Sequence, residues 1–158
     1  MKLTISDFNI GTLEDELRVD GLCRELLMTF YHERIASGLT EHDATLLANS
    51  ADFYLRDYLI GARQLNFLDC DPEEVRKFAG NWYIVNTMEP VIDEIEAHLK
   101  GVNEFYQYLL QIEAIDEEFY GRIKNDCLDI NYYISRIESF WDIKGDGYYE
   151  WESECSLK

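Results

Sequence analysis

Positive charge is what this chain has least of. Against 32 Asp and Glu stand 14 Lys and Arg, a formal net charge of −18 over 158 residues. The shortfall is even. Residues 1–70 hold 6 basic and 12 acidic groups, residues 71–112 hold 3 and 8, and residues 113–158 hold 5 and 12. No acidic tail accounts for the imbalance and no basic half offsets it. A duplex-DNA binder normally shows a basic face whose Lys and Arg displace counterions from phosphates, and an anionic membrane repels an acidic surface at long range. Composition therefore argues against nucleic acid and membranes as partners. It leaves two readings of the acidic surface: solvation alone, or recognition of a basic partner.

Other scarcities exclude more. Cys23, Cys70, Cys127 and Cys155 lie far apart with no CxxC pair, so a zinc site on close ligand pairs is not expected. The histidines are His32, His42 and His98, with no HExxH pair and no Glu-x-x-His for a di-metal bundle site. No GxxxxGK[ST] or GxGxxG phosphate loop occurs. Asp142–Gly147 has a calcium-loop outline, but Lys144 and Ser153 stand where oxygen ligands are needed at the third and twelfth positions. No catalytic set, metal or cofactor is expected. The first residues lack the apolar stretch of a signal peptide, and no run approaches the roughly 20 apolar residues of a membrane helix. A cytoplasmic location with free thiols is expected.

What is present is core material: 47% hydrophobic and 14% aromatic residues. That content opposes disorder despite the charge. The length suits one domain, residues 1–158. Both prolines stand at expected helix starts, Asp71-Pro72-Glu73-Glu74 and Glu89-Pro90. Thr12-Leu13-Glu14-Asp15 and Thr40-Glu41-His42-Asp43 have capping-box spacing with Asp at the third helical position. Apolar residues recur at helical intervals in five stripes. They run Val19 to Ile35, Leu47 to Ala62, Val75 to Tyr83, Ile92 to Leu109, and Phe119 through Ile130 and Ile137 to Trp141. Cys23 and Cys127 fall on these stripes as core residues. The expected fold is mainly α, a compact bundle of about five helices over residues 12–143. Residues 144–158 read as an extended segment. Tyr149, Trp151, Ser153, Cys155 and Leu157 alternate there with polar or acidic neighbours, a strand pattern. With Leu3 and Ile5 it could form a two-stranded terminal ribbon.

Three segments carry a family likeness. They are Asp52-Phe53-Tyr54-Leu55-Arg56-Asp57-Tyr58-Leu59, Leu68-Asp69-Cys70-Asp71-Pro72-Glu73-Glu74-Val75-Arg76-Lys77-Phe78, and Val102-Asn103-Glu104-Phe105-Tyr106-Gln107-Tyr108-Leu109-Leu110 followed by Glu113–Asp116. In this order, over about residues 40–116, they resemble the SAM-like core-binding domain of phage integrases and tyrosine recombinases. The resemblance implies a SAM-like helical topology and a DNA-gripping arm. The chain departs from that family where phosphate contacts are expected. Between Val91 and Tyr106 its charged residues are Asp93, Glu94, Glu96, Lys100 and Glu104. Residues 117–158 hold too little chain for the family's catalytic Arg, His and Tyr set.

The leading expectation is a non-enzymatic acidic interaction module. Its partner would be a protein, a basic one or a second copy, with the module acting as a regulator or nucleic-acid mimic. The aromatic residues Tyr148, Tyr149 and Trp151 are the candidate contact surface, since such side chains suit interfaces. The alternative is a DNA-binding recombination accessory or detached integrase arm. Arg56, Arg63, Arg76 and Lys77 would then gather on one face around the Leu65–Cys70 connection.

Overall fold

The computed structural model describes residues 3–145 and 147–154. A short 3-10 turn, Ile5–Phe8, precedes α1, Leu13–Ala36. Helix α2 starts as Glu41–Asp52 and continues unbroken through a π-helical stretch, Phe53–Ala62. Helix α3 joins Glu74–Lys77, a π-helical Phe78–Trp82 and Tyr83–Asn86. Then follow α4 (Ile92–Gln111), α5 (Glu117–Leu128), α6 (Ile130–Trp141) and the short α7 (Tyr148–Ser153). The fold is a mainly α bundle, with no strand among the described residues. Helix α4 lies at its centre and packs on α1, α2, α5 and α6.

Local chemistry sets the helix starts. Thr12 and Asp15 form the expected reciprocal capping box, and the Thr40 hydroxyl accepts the Asp43 amide at 3.1 Å. Asp116 caps α5 by accepting the Phe119 amide at 2.8 Å. At Asp71-Pro72 the carboxylate accepts the Glu73 amide at 3.0 Å, and a turn delays the helix to Glu74. Pro90 is buried two residues ahead of α4, which begins at Ile92.

The predicted stripes supply most of the core, including Val19, Cys23, Phe30, Tyr54, Leu59, Phe78, Tyr83, Leu99 and Tyr106. The wide turns of α2 and α3 meet each other through rings. Tyr54 lies 5.0 Å from Phe78 edge-on, Tyr58 lies 5.3 Å from Trp82, and Phe53 lies 5.7 Å from Phe78. An i→i+5 turn brings an extra residue to the inner face, so Ile60 is buried beside Leu59. Contacts of this kind add about 0.5–1.5 kcal/mol per pair beyond burial.

Two expectations are corrected. The fifth stripe is not one helix: Asp129, at φ −80 and ψ 57, breaks it into α5 and α6. The break rotates α6 so that Tyr133, Arg136 and Ile137 are buried and Trp141 is exposed. The second correction concerns the extended segment and its ribbon. Residues 148–153 are helical, and Ile5 lies in the 3-10 turn. Helical spacing puts Tyr148 and Trp151 on one side, with their rings 6.1 Å apart and Trp151 5.1 Å from Phe140. Cys155, Leu157 and Asp146 lie outside the described residues.

Gly101 sets the closest helix approach. A Cβ there would stand 2.5 Å from the Ser50 Cβ and 2.7 Å from the Leu47 carbonyl oxygen of α2. Gly101→Ala is expected to lose about 1–3 kcal/mol by overpacking. Gly121→Ala, in α5 with nothing within 4 Å, is expected to gain up to about 1 kcal/mol from helix propensity. Urea unfolding of both variants tests this, and equal midpoints would refute the close α2–α4 contact.

Candidate functional site

A basic face would need the arginines. All eight are engaged within the chain. Arg56 donates from Nε to Asp20 at 2.8 Å and from Nη1 to Asp52 at 2.9 Å. Arg63 bonds Glu74 through Nε at 3.1 Å and Nη2 at 3.3 Å, and Lys77 Nζ lies 3.4 Å from the same carboxylate. Arg76 donates to Asp129 at 2.7 Å and sits 3.9 Å over the Tyr132 ring. Of the four predicted phosphate contacts, then, Arg63 and Lys77 converge on Glu74. Arg56 and Arg76 stand apart on other carboxylates. Arg18, Arg24, Arg34 and Arg122 also meet carboxylates, those of Asp15, Asp20, Glu104 and Asp71 respectively.

Arg136 is different. Buried in α6, it donates to the carbonyls of Gly80 at 2.8 Å and Trp151 at 2.9 Å, with its guanidinium 3.9 Å over the Trp151 indole. The indole N–H in turn reaches Ser139 Oγ at 2.9 Å and the Arg136 carbonyl at 3.1 Å. Trp151, expected at the surface, is 3% exposed and pins α7 to α6, while Arg136 ties α6 to α3. Tyr148 is half-buried against it. Of the three predicted contact aromatics only Tyr149 stands out, at 79% exposure.

A surface the sequence reading missed lies where the C-terminal end of α6 meets the α3–α4 connection. Met88, Val91 and Trp141 are 99%, 47% and 56% exposed. The Trp141 indole N–H donates to the Pro90 carbonyl at 3.3 Å, which joins the α3–α4 connection to the end of α6. The legible signal was Met88-Glu89-Pro90-Val91, an apolar pair set inside a helix break. Trp141 could not be placed without the break at Asp129.

The titratable groups inside the bundle are held neutral or tightly paired. Burial pushes the Cys23 and Cys127 thiols up strongly and Cys70 up to about 12, so none is a ready thiolate. Glu74 is 3% exposed and accepts the Tyr58 hydroxyl at 2.8 Å besides its two cations. His98 lies 4.9 Å from the Phe53 ring and 5.6 Å from Tyr83, and its Nδ1 has no hydrogen-bond partner among the described residues. Burial lowers its pKa, and Glu94, 3.7 Å from Nε2, only partly opposes this. Among the described residues no group of His, Cys, Asp or Glu is arranged to hold a metal ion, and no helix is long and apolar enough to cross a membrane. No family model, curated protein or solved structure matches this chain.

Removing the Glu74 carboxylate leaves the buried Tyr58 hydroxyl unpaired. Glu74→Ala is therefore expected to cost about 1–3 kcal/mol, and Arg63→Ala, at a half-exposed site, less than about 1 kcal/mol. Equal losses in urea unfolding would contradict this. His98 makes stability depend on pH. Below its ordinary 6.5 the unfolded chain takes up a proton that the folded chain refuses, so stability falls until the lowered folded value is reached. His98→Phe is expected to flatten the slope of unfolding free energy as the pH falls below 6.5. An unchanged slope would refute it.

Proposed function

We propose that this protein is an acidic helical interaction module that binds a basic protein and carries no catalysis of its own. The observation that carries this reading is the state of the arginines. All eight are held by the chain's own carboxylates or carbonyls, while many carboxylates on α1, α4 and α5 remain exposed, Glu25, Glu96 and Glu118 among them. The outward field is then dominated by carboxylates, which steers cationic partners and repels anionic ones. Carboxylates along helix faces also suit the mimicry of a phosphate backbone. The raised thiols and the neutral, ring-enclosed His98 support binding over chemistry.

The DNA-arm alternative needs Arg56, Arg63, Arg76 and Lys77 to leave their carboxylates for phosphates. Each exchange gives up an ion pair to gain one, so little net attraction remains.

Capture by the immobilised protein tests the reading, with an unrelated acidic protein of equal net charge as the control. Basic proteins retained beyond the control and released by salt are expected, with no retention of duplex DNA. Duplex binding at low salt would favour the arm. Retention no different from the control would leave the acidity as solvation and refute the module.

A further inference from the structure

The patch at Met88, Val91 and Trp141 is large side-chain surface left open on a chain that buries most of its aromatics. Its parts are held together: Trp141 bonds the Pro90 carbonyl at 3.3 Å, and the Val91 amide donates to the buried Tyr83 hydroxyl at 3.3 Å. Phe140, half-buried, backs Trp141 at 6.0 Å between ring centres. Val91 and Trp141 therefore sit on a braced base, with Met88 reaching into solvent beside them. Contiguous exposed apolar surface with a polar rim is the usual mark of a docking site.

The rim is one-sided. Within three residues of these side chains along the sequence stand Glu89, Asp93, Glu94, Glu138 and Asp142, and the only cation is Lys144. The five carboxylates are exposed. We infer that this patch docks a basic amphipathic helix, its apolar face on Met88, Val91 and Trp141 and its Lys or Arg against the five carboxylates. The inference rests on the basic-partner reading and locates its contact.

Charge, side-chain arrangement and the open indole face all select this occupant. A second copy carrying −18 would bring the same acidic rim against this one, and like charges set face to face are costly. A helix carries apolar and basic side chains on separate faces, which matches an exposed apolar group beside carboxylates. The open Trp141 face also suits an arginine, which stacks on indole better than on other rings.

The probe is a synthetic helical peptide with leucine on one face and arginine and lysine on the other. Its partner probe has the same composition scrambled to abolish the apolar face. Titration calorimetry and tryptophan fluorescence read the binding, since Trp141 is the most exposed of the tryptophans. The amphipathic peptide is expected to bind with a blue shift. Met88→Ser and Trp141→Ala are each expected to weaken it about tenfold or more, while Leu17→Ser on α1, also exposed, leaves it unchanged. Met88 is almost wholly in solvent, so its variant keeps the test independent of folding. Equal binding of the scrambled peptide, or full binding by both variants, overturns the patch and leaves the basic-partner reading standing. Failure of both peptides at low salt overturns both. A dimer in sedimentation that Met88→Ser dissolves would assign the patch to a second copy and overturn the proposed occupant.

Discussion

Self-repulsion among 32 carboxylates is the constraint under which every helix of this chain packs. It is relieved locally. Arg56 bridges α1 and α2 through Asp20 and Asp52, Arg34 ties α1 to Glu104 on α4, and Arg76 ties α3 to Asp126 and Asp129. Each arginine sits where two elements would otherwise present carboxylates to one another. Exposed pairs of this kind are individually weak. Their collective effect is on placement, since they decide which acids are neutralised inside the bundle and which face outward. The surface inherits what is left.

Within that frame the interior is ordered by rings. The π-helical stretches of α2 and α3 widen both helices where Phe53, Tyr54, Tyr58, Phe78 and Trp82 have to interdigitate. Glu74 satisfies Tyr58 at one edge of this cluster, and His98 closes another edge beneath Phe53 and Tyr83. The smallest residue faces the tightest crossing, with Gly101 of α4 against Ser50 and Leu47 of α2. Large rings on one flank of α2 and a bare backbone on the other hold that helix between α3 and α4. The polar residues at this junction are either paired or held neutral, which ties its stability to pH through His98.

Much of this was legible beforehand. The capping residues Thr12 and Thr40, the Leu65–Cys70 connection, the break at Glu89-Pro90, and the buried stripes of α1 to α4 follow from spacing and capping chemistry alone. The two tryptophans of the C-terminal third did not follow. Helical periodicity places Trp141 inward, and the suitability of aromatics for interfaces puts Trp151 among the candidate contact residues; the structure exposes the first and buries the second. The Trp141 placement turns on one residue. Asp129 interrupts a stripe that reads as continuous, and its carboxylate is occupied by Arg76 of α3, 53 residues away. Tyr148 and Trp151 fit a strand or a helix equally well, and the Arg136 and Ser139 partners of the indole select the helix.

The sequence by itself determined the helical class, the helix starts after Thr12 and Thr40 and the acidity, because these depend on neighbours within a turn and on composition. Tertiary structure alone decided which charges remain free and which aromatics remain open. An arginine is neutralised by whichever carboxylate a distant helix brings within about 3 Å, and an indole is buried or exposed by the rotation its helix adopts against others. Those long-range placements turned a scattered excess of carboxylates into an outward acidic surface. They also bury Trp151 and leave Met88, Val91 and Trp141 open to solvent.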